Sequence, residues 1–157
     1  MLHAGRGLIR ALDSFLESEA ESFERAILNL HEEQFAHSFI APEKRARYLS
    51  LLESKRGRKK LLEGFYHCHD LDSRFAKSIP SNQQSAQVIE RLLKSKGAPE
   101  MCHVMSADSS LDNREMSLSE ALMETVGGEG GTLISCIAGR LAYFELEPFD
   151  GRYILER

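Results

Sequence analysis

Residues 8–34 repeat with a helical period. Leu16, Ala20, Phe23, Ile27, Leu30 and Gln34 step by four and three, and Leu8, Leu12 and Phe15 extend the stripe upstream. Side chains at that spacing share one side of an α-helix and no regular face of a strand. The expected element is therefore an amphipathic helix of roughly 30 residues, with Glu17, Glu21, Glu24, Arg25 and Glu32 on its solvated faces. The average globular helix is shorter, about 11–12 residues. A helix of this length either spans its domain or meets a two-fold mate through the same face. Pro42, in "SFIAPEK", ends it by disfavouring helix at the residue before, and suits the first turn of the next one.

The pattern predicts further helices over about 42–54, 58–66 and 82–95, with the second and third separated near Gly57. Joining those two would put Tyr48, Leu51, Leu52 and Leu62 on one arc with Lys44, Lys55, Arg58 and Lys59, mixing core and charge. Asp72 is read as an N-cap of a short helical turn over "SRFAKSIP", stopped by Pro80. Ser81 with Gln84 is read as a capping box, and Gly97 as a C′ residue.

The grammar changes at Ala98–Pro99. Strands are expected at 101–106, 132–138, 141–147 and 152–156, with a helix at 117–126 opened by Ser117 and Glu120. A turn is expected over Pro148–Gly151. The fold class is α+β: a helical part, residues 1–97, packs on one face of a small, mainly antiparallel sheet built by residues 98–157. Together they form one compact domain.

A chain of 157 residues can bury enough surface to fold without a staple. Cys68, Cys102 and Cys136 are odd in number and widely spaced, which points to small buried thiols in a reducing compartment. No apolar run reaches the ~20 residues of a membrane span, and the first residues lack a signal-peptide pattern. The expectation is a cytoplasmic protein. A net charge of −4 supplies no global attraction to nucleic acid or to anionic membrane.

Two clusters carry chemistry. His67, Cys68, His69, Asp70 and Asp72 stand within six residues. On an extended segment His67 and His69 share a face, and Asp70 adds a carboxylate. As the alternative to a structural role, that set would begin a site for zinc or another divalent transition metal, in a metal-dependent hydrolase. The favoured reading is histidines at a helix C-terminus interacting with its dipole. Between Lys44 and Lys60 there are eight bases and one acid, and between Asp13 and Glu33 seven acids and one base. Lys55, Arg56, Arg58, Lys59 and Lys60 are the candidate contact for nucleic acid or an acidic partner. The run lacks interleaved aromatics apart from Tyr48, so complementary flanks of neighbouring helices explain it better than nucleic acid does.

Other features yield less. "GGEGG", 127–131, follows a helix and precedes a strand, the reverse of a phosphate loop, and reads as a helix stop and flexible connection. Ser135 lacks a nucleophile-elbow context, and Cys136 and His103 read as core residues. Asp108, Asp112 and Glu115 crowd a loop without a calcium-hand glycine. With no complete catalytic set, the leading expectation is a non-enzymatic binding or regulatory protein. It acts through protein–protein contact, with a protein partner or with itself as a homodimer through the N-terminal helix, and needs no cofactor.

Overall fold

The structure is a computed structural model describing residues 4–147 and 151–157. The chain divides into two compact units, residues 1–30 and His31–Arg157. The described part of the first unit is the leading part of helix α1 (Ala4–Phe39). Every residue from Gly5 to Leu30 whose side chain is described is exposed.

The second unit is α+β. Around its sheet stand the last turns of α1, then α2 (Arg45–Leu52), α3 (Lys55–Glu63), α4 (Ala86–Ser95) and α5 (Leu118–Thr125). The strands are β1 (Ala76–Ser78), β2 (Met101–Ser106), β3 (Arg114–Ser117), β4 (Thr132–Ile137), β5 (Leu141–Glu145) and β6 (Arg152–Glu156). Their order is β1-β6-β5-β4-β2-β3, and every pairing is antiparallel. The turn expected over Pro148–Gly151 falls largely outside the described residues.

Alternation along the strands separates two cores. Met105, Leu133, Ala142, Phe144 and Leu155 meet Phe35, Phe39, Tyr48, Leu61, Leu62 and Phe65. Val104, Ile134, Cys136, Tyr143 and Ile154 meet Ile89 and Leu93 of α4 and Leu118, Ala121 and Leu122 of α5. Helices thus cover both faces of the sheet, where one was expected. In the first core, Phe65 stands edge-on to Phe35 and Phe144, with ring centroids 5.8 and 5.1 Å away.

Local chemistry sets several boundaries. α2 and α3 separate at Ser54, whose hydroxyl accepts from the Gly57 amide. Gly57 lies so close to the Leu51 carbonyl that a Cβ would collide with it, so the glycine permits the approach and the serine makes the break. α4 starts at Ser85, whose hydroxyl accepts from Val88 N. Ser81 and Gln84 do not form the expected box; Gln84 donates to the Ile79 carbonyl instead. α5 opens at Ser117 as expected. The segment read as a helical turn after Asp72 is strand β1, three residues paired with β6. Tertiary pairing overrides a weak local preference there. Arg114–Ser117, expected as loop and helix start, forms edge strand β3.

Candidate functional site

Three places bear on function. The first is α1 between Leu8 and Leu30. Leu8, Ile9, Leu12, Phe15, Leu16, Phe23, Ile27 and Leu30 are all exposed, Phe23 at 68%. Burying a side chain of this size is worth about 1.5–3 kcal/mol, so the stripe forgoes a large stabilisation. None of these residues is among those α1 gives to the core, which are Phe35, Ala36 and Phe39. Ile9, Leu16, Phe23 and Leu30 stand seven apart, the spacing of one coiled-coil core position. Leu12, Glu19 and Ala26 occupy the alternate core position.

The second is a buried polar node between the end of α1 and the sheet. His31 Nδ1 lies 2.7 Å from Ser135 Oγ. Next along the helix, Glu32 Oε2 lies 2.9 Å from His103 Nε2. His103 and Ser135 are directly opposed across β2 and β4, and the two imidazole centroids are 5.7 Å apart. Arg58 on α3 completes the node. It donates to Glu32 at 2.7 and 3.1 Å and to Asp112 at 2.6 and 2.9 Å. Asp112 also accepts from the Ser106 amide.

The electrostatics follow from burial and pairing. Burial alone would raise the Glu32 carboxyl, but hydrogen bonds from His103 and Arg58 outweigh it and hold its pKa below the ordinary value. Burial, reinforced by the neighbouring His103, lowers the pKa of His31. The 2.7 Å Ser135–His31 contact has the length of a nucleophile–base pair. Ser135, however, is buried in mid-strand, and the nearby acid, Glu32, bonds His103. A Ser–His–acid relay is therefore interrupted. The node is suited to holding the last turns of α1 on the sheet.

Sequence reasoning missed this node because Glu32 was assigned to a solvated face, whereas it is 7% exposed. The available signal was parity: His103 and Ser135 share strand parity with Met105 and Leu133, so two polar groups on a core face needed partners.

The third place is the pair of predicted clusters. His67 ends a 3-10 turn, with Nε2 3.5 Å from Glu147 Oε1. Cys68 and His69 line a cleft of about 410 Å³ with Leu71, Leu146 and Tyr153. Asp70 accepts from Tyr48 Oη at 2.9 Å. Asp72 sits between Arg74 and Arg45 at 2.7 and 3.6 Å; its bonds to Arg74 and the charge of Arg45 bring its pKa down to about 2. Its Oδ1 accepts from the Arg74 amide, closing a local turn rather than capping a helix. Backbone bonds Ala41 N to Asp70 O and Asp72 N to Phe39 O tie the segment to the end of α1. Among the described residues, no three His, Cys, Asp or Glu side chains gather around one possible metal position.

The basic residues divide by role. Lys55, Arg56, Lys59 and Lys60 are exposed, while Arg58 is committed to the node. Lys55, Arg58 and Lys59 line a cleft of about 250 Å³ with Ser106, Ser109 and Asp112. The three thiols are free and buried; burial, with the charge of Glu115 nearby, pushes Cys102 up to about 12. Among the described residues no helix is long and apolar enough to cross a membrane. No protein-family model matches the chain, and no curated protein and no solved structure matches it.

Proposed function

We propose that this is an interaction protein that pairs with a second copy of itself through residues 8–30 of α1. The observation that carries the reading is the seven-residue spacing of Ile9, Leu16, Phe23 and Leu30, all exposed. At 1.5 Å per residue, the segment offers a seam about 34 Å long. The stripe is complementary to itself when the two helices run antiparallel. Pairing positions that sum to 35 sets Leu12 against Phe23, the large Ile9 against the small Ala26, and Leu16 against Glu19. A parallel, in-register pair would set Glu19 beside its own copy in one layer, whereas this antiparallel register moves the two carboxylates into adjacent layers, about 4.5 Å apart along the axis, and lessens their repulsion. The acidic flanks, Glu17, Glu21 and Glu24, remain in water. In this reading His31–Arg157 is the carried body.

Sedimentation equilibrium over a wide concentration range tests this. The wild-type chain is expected to dimerise, and Leu16→Glu with Phe23→Glu to remain monomeric with unchanged helix and sheet content. A wild-type chain that stays monomeric at the highest concentrations removes the proposal. Larger, open assemblies would equally count against an antiparallel pair.

A further inference from the structure

The cleft of about 250 Å³ between α3 and the loop joining β2 to β3 contains cationic groups that folding does not explain. Lys55 and Lys59 are one turn apart on α3, and both line it. Among the described residues neither ammonium has a carboxylate within ion-pair distance. Like charges at this spacing weaken a helix by about 0.2–0.5 kcal/mol. Cations in the first turns also oppose the helix dipole, and the first turn of α3 holds no acid to balance them.

The facing wall offers hydrogen-bond donors. Ser109 lines the cleft, and its hydroxyl has no partner among the described residues. The Ser106 hydroxyl is engaged by Thr132 and the Asp108 amide. Arg58 holds the two walls in register. Four hydrogen bonds to Glu32 and Asp112 occupy most of its five N–H groups. They also neutralise the Asp112 carboxylate inside the cleft. Glu63, which is exposed, is the other acid in the lining. Arg58 thus ties α3 to the loop that carries Ser109, which lowers the cost of ordering the two walls around a ligand.

We propose that this cleft binds the phosphate group of a small phosphorylated molecule, through the Lys55 and Lys59 ammonium groups and the Ser109 hydroxyl. Two ammonium groups and a hydroxyl match the charge and acceptor set of a phosphate. The volume favours a compact group, because it lies below the roughly 300–1,000 Å³ of sites that enclose drug-sized ligands. The lining contains no aromatic ring, so it lacks the stacking platform by which single-stranded nucleic acid is held. Arg56 and Lys60 lie outside the cleft lining and serve as an internal control.

Pyrophosphate is the probe, titrated against the full chain at constant ionic strength and followed by backbone amide chemical shifts. Saturable shifts are expected at residues 55–59 and 107–110, with one site per chain. Lys55→Gln with Lys59→Gln should weaken binding by about tenfold or more, since both charge-assisted contacts are lost. Arg56→Gln with Lys60→Gln removes the same charge and should leave affinity within about twofold at this ionic strength. All four residues are exposed, and amide spectra verify that both variants fold. Equal weakening in the two variants, or chloride shifting the same amides equally, overturns the cleft in favour of diffuse attraction. Absence of saturation also overturns it. So does an oligonucleotide that outcompetes pyrophosphate through contacts at Arg56 and Lys60, since that assigns the basic face to nucleic acid.

Discussion

His103 Nε2 lies 2.9 Å from Glu32 Oε2, and this contact joins an interior strand to the last turns of α1. Both side chains are buried. A buried carboxylate is costly unless its lone pairs are used, and Glu32 satisfies this with His103 on one side and the Arg58 fork on the other.

Removing that carboxylate leaves the His103 imidazole without its partner and Arg58 with Asp112 as its remaining acceptor. Glu32→Leu should destabilise the chain by about 1–3 kcal/mol, the usual cost of stranding a buried polar group. Adding Arg58→Met should cost less than the two single changes combined, by about 0.5–3 kcal/mol. Urea-unfolding midpoints of the four forms measure the cycle; strict additivity contradicts the geometry.

The same node sets the acid side of the stability profile. The folded pKa of Glu32 lies below its unfolded value, so its contribution is full above the ordinary carboxyl range, about 4.3, and is lost as pH falls through the folded value. The pKa of His31 is also depressed, from 6.5. Below 6.5 the unfolded chain takes a proton that the folded chain resists, so stability declines from there down to the folded pKa. Urea midpoints measured from neutral pH downward should fall in two stages. His31→Gln should flatten the upper stage and Glu32→Gln the lower; a profile unchanged by either substitution refutes the assignment.

The "GGEGG" turn is tighter than a flexible connection. Gly130 has φ +84°, and a Cβ there would run into the Leu146 carbonyl. Gly131 is bonded at both ends, its amide to Glu145 O and its carbonyl to Ala107 N. Gly130→Ala should cost at least about 1–3 kcal/mol. Gly64→Ala is the contrast, because that residue is in helical conformation with open space around it. It should gain about 0.4–1 kcal/mol by restricting the unfolded chain. Thermal melts of the two variants should move in opposite directions.

Helix direction in the proposed pair has its own readout. An equal mixture of Leu12→Cys and Phe23→Cys chains should cross-link between position 12 of one copy and position 23 of the other. Chains carrying Leu12→Cys alone should cross-link poorly. Efficient 12-to-12 linkage identifies a parallel pair and refutes the Glu19 argument.

Much of the architecture was legible in the chain. The long helix, the strands near 101, 132, 141 and 152, and the Ser117 cap carry strong local signals: helical period, alternation and capping chemistry. What escaped depended on partners distant in sequence. Ala76–Ser78 is a strand because β6 pairs with it, and nothing within three residues announces that. Helices on both faces were foreshadowed by Ile134 and Cys136 being as apolar as Leu133, yet parity alone does not say which helix arrives. The same holds for the node. Glu32, Arg58, Asp112 and His103 converge from separate elements, and a charged residue on an otherwise ordinary helix does not disclose that it is buried.

The sheet's two flanks carry a consequence for how copies of the chain accumulate. β1 has three residues and β3 four, and Lys77, Arg114 and Glu115 on them are exposed. Short, charged borders offer a poor template for an incoming backbone. Concentrating the protein should therefore not seed fibrils by stacking one sheet's margin against another's.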